Sequence, residues 1–153
     1  WLRWAVPLAA ALVLVPSYLL FTRTDPQFTA RGAGTAPSFE VVCSATQATG
    51  RCAPGGKLLF KVDAQGAQRF AAVARGPSDA VVWYFTDAEV GALPAGGLLD
   101  VGVPLGPEHV PGRWEVWGFF FAAVRSKDAL RPALEGAPLA GVQVVRRSLE
   151  IAP

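Results

Sequence analysis

Beyond residue 37 the chain alternates short apolar runs with clusters of turn-forming residues. The runs occupy 39–43, 57–62, 69–74, 80–86, 98–104, 113–124 and 142–151, and between them lie APGG, DAQGAQ, RGPSD, ALPAGG and GPEHVPG. Runs of this length, rich in Val, Phe and Trp and spaced fairly evenly, predict seven strands in a mainly β fold, a β-sandwich of immunoglobulin-like shape. In KLLFKV (57–62) and VVRRSLEI (144–151) polar residues interrupt apolar ones at strand-like intervals, so one face of each strand is expected to be wet. In GRWEVWGFFFAAV (112–124) both parities are apolar, which predicts a central strand.

One stretch has a different period. Ser126 stands where an N-cap belongs, Ala129, Leu130, Ala133 and Leu134 share a helical face, and Gly136 supplies a stop. Pro132 requires this single helix to be short or kinked.

The first two dozen residues follow neither pattern. No charged side chain occurs between Arg3 and Arg23, and residues 4–21 as a helix would measure about 27 Å, close to the apolar thickness of a bilayer. Trp1, Trp4, Tyr18 and Phe21 fall near the two ends, where amphipathic rings prefer the interface, and Pro7 and Pro16 are tolerable in a spanning helix. Residues 1–22 are therefore expected to form a single transmembrane helix that partners the lipid bilayer through 4–21. A cleaved signal peptide is the alternative, although the apolar run is long for one and no tidy small-x-small site follows it. Residues 23–37 (RTDPQFTARGAGTAP) have no hydrophobic period and predict a flexible linker, leaving 38–153 as one domain.

Charge changes this picture little. The net charge of +2 comes entirely from Arg3, Arg23 and Arg31 against Asp25, and from Ser38 onward acids and bases balance. Nucleic-acid affinity rests on clustered phosphate-neutralising cations, so no nucleic-acid partner is expected, and the pair Arg146-Arg147 is too short a run to reverse that. With one arginine on each flank of the apolar segment, charge assigns no orientation across a membrane.

Cys43 and Cys52 are the only cysteines, without the second pair or the histidines that a zinc site needs. They are expected to form a disulfide, which persists in an oxidising compartment; two separate buried thiols are the alternative. If bridged, they place everything after Arg23 outside the cytoplasm. The chain opens at Trp1 and contains no methionine, so it is expected to be cut from a longer polypeptide with a cytoplasmic part upstream.

The order GGKLLFKVDAQGAQRFAAVARGPSDAVVWYF, then PGRWEVWGFFFAAVRSKDALRPALEG, then VVRRSLEI resembles the extracytoplasmic β-sandwich domains of unknown function in myxobacterial and related single-pass membrane proteins. The resemblance covers residues 39–151. It implies an accessory or sensory ectodomain attached through one spanning helix to a cytoplasmic anti-sigma zinc-finger or kinase-like region. No catalytic residue transfers with it.

Catalytic signatures are scarce. His109, the sole histidine, sits in GPEHVPG and is expected to be a solvated turn residue. No serine lies in G-x-S-x-G. The glycines of GRCAPGGK (50–57) miss the phosphate-loop spacing by one residue, and Leu58 replaces the hydroxyl residue that would follow the lysine. Asp79, Asp87, Glu89 and Asp100 are scattered singly, with no metal-loop or paired-carboxylate pattern. No cofactor and no enzymatic activity are expected. The richest feature is aromatic: Trp83, Tyr84 and Phe85 on one strand, Trp114, Trp117, Phe119, Phe120 and Phe121 on another. On alternate faces these rings cannot all enter one layer of core, so some are expected to pack beneath the helix or stay partly exposed. They read as a large core with its covering helix, or alternatively as an exposed aromatic strip, with Trp83, Tyr84, Trp114 and Trp117 as the binding surface, that receives a peptide, a sugar or a partner subunit. Taken together, the sequence predicts a sensory or binding domain in the periplasm, anchored in a bacterial inner membrane and possessing an anti-sigma-factor-type role. A membrane-anchored structural or assembly subunit of the cell envelope is the alternative.

Overall fold

The computed structural model describes residues 36–47 and 51–153. The expected spanning segment and all but the last two residues of the expected linker lie outside them. Among the described residues no helix is long and apolar enough to cross a membrane.

The domain is a mainly β sandwich of two sheets with one helix. Strands β1 (Ser38–Cys43) and β2 (Lys57–Asp63) pair antiparallel, and β2 also pairs with two short strands, β5 (Gly97–Leu98) and β6 (Val103–Pro104). The second sheet runs β4 (Val81–Glu89), β3 (Arg69–Arg75), β7 (Gly112–Phe121), β8 (Val142–Ile151), all antiparallel. The single run expected at 98–104 is thus two strands. Residues 99–102 lie opposite only Leu59 and Phe60 of β2, so the surplus loops out and leaves Val101 exposed.

Alternation sets the layers. In β2 the residues Leu58, Phe60 and Val62 are buried while Lys57 and Lys61 are exposed, which is the wet outer face expected from the sequence. In β3 and β7 both parities are buried, because the second sheet is covered on both sides. Phe70, Ala72, Ala74, Trp114, Val116 and Phe120 join Phe39, Leu58, Phe60 and Val62 between the sheets. Ala71, Val73, Trp117, Phe119 and Phe121 form a second core beneath α1 (Lys127–Leu134), which contributes Leu130 and Ala133. The helix begins where predicted, with Ser126 Oγ accepting the Ala129 N–H at 3.3 Å, and it ends at Gly136, whose φ of 88° suits glycine. Pro132 lies inside its last turn. Arg125 Nη2 donates to Ala140 O at 2.8 Å and clasps the two ends of this β7 to β8 connection.

Glycine at 118 is a packing requirement. A Cβ there would stand 2.5 Å from the Phe39 ring and 2.9 Å from that of Phe70, so only a bare backbone lets these rings meet β7.

The Cys43–Cys52 disulfide expected from the sequence is present, with Cα atoms 5.5 Å apart. It does more than close a short loop. Cys43 ends β1 in the first sheet, whereas Cys52 is hydrogen-bonded to the end of β8 in the second: its N–H donates to Glu150 O at 2.9 Å, and its carbonyl accepts from Ala152 N–H at 3.0 Å. The bridge therefore fastens the two sheets along the edge where β1 faces β8. Arg147 reinforces that edge, donating from Nε to Phe39 O at 2.9 Å.

Candidate functional site

The four aromatics considered as one binding surface are divided between two layers. Trp114 is fully buried between the sheets, and Tyr84 packs against the same core. Trp117 is buried beneath the helix with Trp83 at its margin. The division has a local cause: β4 carries a bulge, with Ala72 opposite Phe85 and Val73 opposite Trp83, so that consecutive Tyr84 and Phe85 both turn toward the inter-sheet core. These four residues do not make an exposed strip, and the aromatic run is chiefly core.

His109 also departs from expectation, since it is buried rather than a solvated turn residue. Its ring stacks on Tyr84 at 5.6 Å and packs against Trp114 at 5.3 Å. Nδ1 accepts the Gly106 N–H at 3.2 Å, which in the neutral ring leaves the proton on Nε2 to donate to Tyr84 Oη at 3.1 Å. Glu108 Oε1 lies 3.2 Å from Nδ1 at the surface. Burial, and next the Glu108 carboxylate, push the Tyr84 phenol well above its ordinary value. The Trp114 indole N–H donates to Val110 O at 2.9 Å, so every polar group of this aromatic cluster is engaged in holding the 106–112 loop. It is a structural knot that ties β4 and β7 to this loop.

The scattered carboxylates remain apart. Asp79 lies in a 3-10 turn before β4, and Asp100 in the loop between β5 and β6. Asp87 Oδ2 is 3.6 Å from Arg69 Nη1, while its Oδ1 is buried without a hydrogen-bond partner. Among the described residues no three His, Cys, Asp or Glu side chains gather as a metal centre would require.

What the fold does assemble lies on the outer face of the second sheet, where the register of β3, β7 and β8 gathers polar residues. There a groove of about 520 Å³ is lined by Arg75, Arg113, Glu115, Arg146, Arg147 and Ser148. Register places them together: Arg75 faces Glu115, which faces Ser148, and Trp117 faces Arg146 one step along the same side. Same-face neighbours along a strand are about 7 Å apart and adjacent strands about 5 Å, so the guanidinium groups start from one compact patch. Among the described residues Arg75, Arg113 and Arg146 form no ion pair with a carboxylate; the ion-paired cations lie elsewhere.

Arg146 is the most constrained of the three. Its guanidinium carbon lies 3.7 Å over the Trp117 ring, and the indole is itself oriented by donating from Nε1 to Glu115 Oε2 at 2.8 Å. Stacking occupies the flat face of the guanidinium and leaves its N–H edges free, the arrangement that suits bidentate recognition of an oxyanion. Arg147, its neighbour in sequence, points the other way and is committed to Phe39 O and the Phe39 ring. Sequence reading missed this groove because its arginines stand on three different strands. The one available signal was the strand alternation, which separates Arg146 from Arg147 and places Arg75, Arg113 and Glu115 on one side.

The chain matches no family model, no curated protein and no solved structure.

Proposed function

We propose that the chain is a non-catalytic recognition domain held outside the cytoplasm on a single membrane-spanning helix, where it senses or binds a protein or envelope component. The observation that carries this reading is the Cys43–Cys52 bridge joining the two sheets, since a stabilising disulfide in a small domain belongs to an oxidising space. With residues 1–22 as the anchor and 23–37 as the leash, that space is a bacterial periplasm. The immunoglobulin-like layering suits presentation of a surface rather than enclosure of a substrate. The arginine groove, open to solvent on the outer face of the second sheet, is the surface best fitted to receive a partner. Signalling through an upstream cytoplasmic region, of the anti-sigma-factor type, is the extended form of the proposal.

Protease added to spheroplasts tests the placement. The domain should be digested from outside while a cytoplasmic control survives, and its cysteines should resist alkylation until reductant is added. Protection from protease together with freely alkylated thiols would overturn the reading. The full reading frame tests the signalling form, because a start codon a few residues before Trp1 would leave no room for a cytoplasmic domain.

A second reading, an anchored assembly subunit, is favoured by strand β4, which among the described residues pairs only with β3 and so offers a free sheet edge. Crosslinking in intact cells separates the two: a stoichiometric, permanent neighbour on β4 supports the building block, and its absence supports the sensor.

A further inference from the structure

We infer that the arginine groove on β3, β7 and β8 is a binding site for a phosphomonoester dianion, an inference that rests on the recognition reading above and specifies its ligand. Its first support is charge. The lining sets Arg75, Arg113, Arg146 and Arg147 against the single carboxylate of Glu115, a net charge of +3; with the Arg147 guanidinium committed to Phe39 O, the other three arginines and Glu115 leave +2 facing the groove. A phosphomonoester at neutral pH carries a charge of about −2, whereas a carboxylate or a sulfate monoester carries one charge.

Its second support is geometry. A phosphoryl group presents three terminal oxygens in a tetrahedral array and can accept from guanidinium groups on several sides at once, while the two oxygens of a carboxylate lie in one plane. The three arginines approach from β3, β7 and β8, that is, from different sides of the same patch. Arg146 is already held flat on Trp117, so little side-chain freedom remains to be lost on binding. Ser148, directly across from Glu115, adds a hydroxyl residue to the lining. The volume of about 520 Å³ accommodates a phosphorylated small molecule or a phospholipid headgroup, and falls in the range of ordinary ligand sites.

Glu115 has a defined part in this arrangement. Its carboxylate holds the Trp117 indole, Trp117 supports Arg146, and Arg146 meets the ligand. Glu115 and Trp117 are therefore positioning residues rather than ligand contacts.

The test uses the full chain in zwitterionic detergent micelles, with phenyl phosphate as probe and phenyl sulfate as its counterpart of similar shape and one charge fewer. Binding is followed by calorimetry and by the NMR signal of the Trp117 indole N–H, assigned by its loss in Trp117→Phe. Phenyl phosphate is expected to bind saturably, to shift that signal, and to bind at least tenfold more tightly than phenyl sulfate. Arg113→Gln and Arg146→Gln should each weaken it about tenfold or more, whereas Arg131→Gln, on the exposed face of the helix, should leave it unchanged. Arg146→Lys keeps the charge but loses the stacked fork, and should recover only part of the affinity. Inorganic phosphate competing with the probe indicates a free phosphate compound as sufficient ligand. Selective binding to nanodiscs containing phosphatidic acid over those of phosphatidylcholine, lost in the same variants, identifies a lipid headgroup as a source of the same chemistry. Equal affinity for the two phenyl esters, or affinity unchanged in Arg113→Gln and Arg146→Gln, would overturn the inference. Either result leaves the protease test of placement standing, so the two readings fail separately.

Discussion

Tyr84 Oη and His109 Nε2 meet at 3.1 Å at the margin of the inter-sheet core, joining a bulged strand to the 106–112 loop through a contact between a half-buried phenol and a buried imidazole. A phenol in this position resists ionisation, because burial and then the Glu108 carboxylate both disfavour the phenolate. The folded state therefore holds the Tyr84 proton above pH 10 more tightly than the unfolded chain does. This contribution is fully present below about pH 10 and is lost as pH rises toward the folded value, at up to about 1.4 kcal/mol per pH unit. Urea unfolding at pH 8, 10.5 and 11.5 should show a steeper alkaline fall for the native chain than for Tyr84→Phe. Parallel curves would show that the phenol is not what makes the difference.

Gly118→Ala places a methyl group against Phe39 and Phe70, at 2.5 and 2.9 Å before any relaxation. Both rings are themselves fully packed, so the expected loss of stability is about 1–3 kcal/mol, read from the urea midpoint at unchanged slope. The double variant Gly118→Ala with Phe39→Leu should recover part of the loss if the clash is its cause.

Reduction of the disulfide, or the paired replacement of Cys43 and Cys52 by alanine, releases the edge at which β1 meets β8. Chain entropy alone assigns about 2.7 kcal/mol to a loop of this length. A fall in Tm of about 10 °C is expected by calorimetry with and without reductant. Amide exchange should accelerate first at Cys52 and Ala152, whose N–H groups bond across that edge.

Leu130 is fully buried and fixes the helix to the outer core. Leu130→Ala should cost about 2–5 kcal/mol. It should also speed exchange of the Trp117 indole proton while leaving the Trp114 indole, on the other side of the sheet, protected. Equal loss of protection at both would mean that the two cores open as one.

The strand pattern was readable in the sequence because alternation is a local property. The run 142–151 became β8 at the same limits, and 57–62 gained only Asp63. Ser126 and Gly136 bounded the helix as their chemistry requires. The run at 98–104 was misread as one strand, since nothing local shows that β2 offers too few partners for it. His109 was misread because its burial is conferred by Tyr84 and Trp114, residues distant along the chain, and flanking prolines and glycine carry no trace of them.

Sequence by itself determined where the chain extends, where it turns, where the helix starts and which two thiols can meet, because each depends on neighbours within a few residues. Tertiary structure alone decided that the bridge joins two sheets, and that Arg75, Arg113 and Arg146 share a groove in which the guanidinium of Arg147 is already committed to Phe39. The reason is register: antiparallel pairing brings together residues far apart in the chain, and their side-chain chemistry becomes a site only after that pairing sets the face each one occupies.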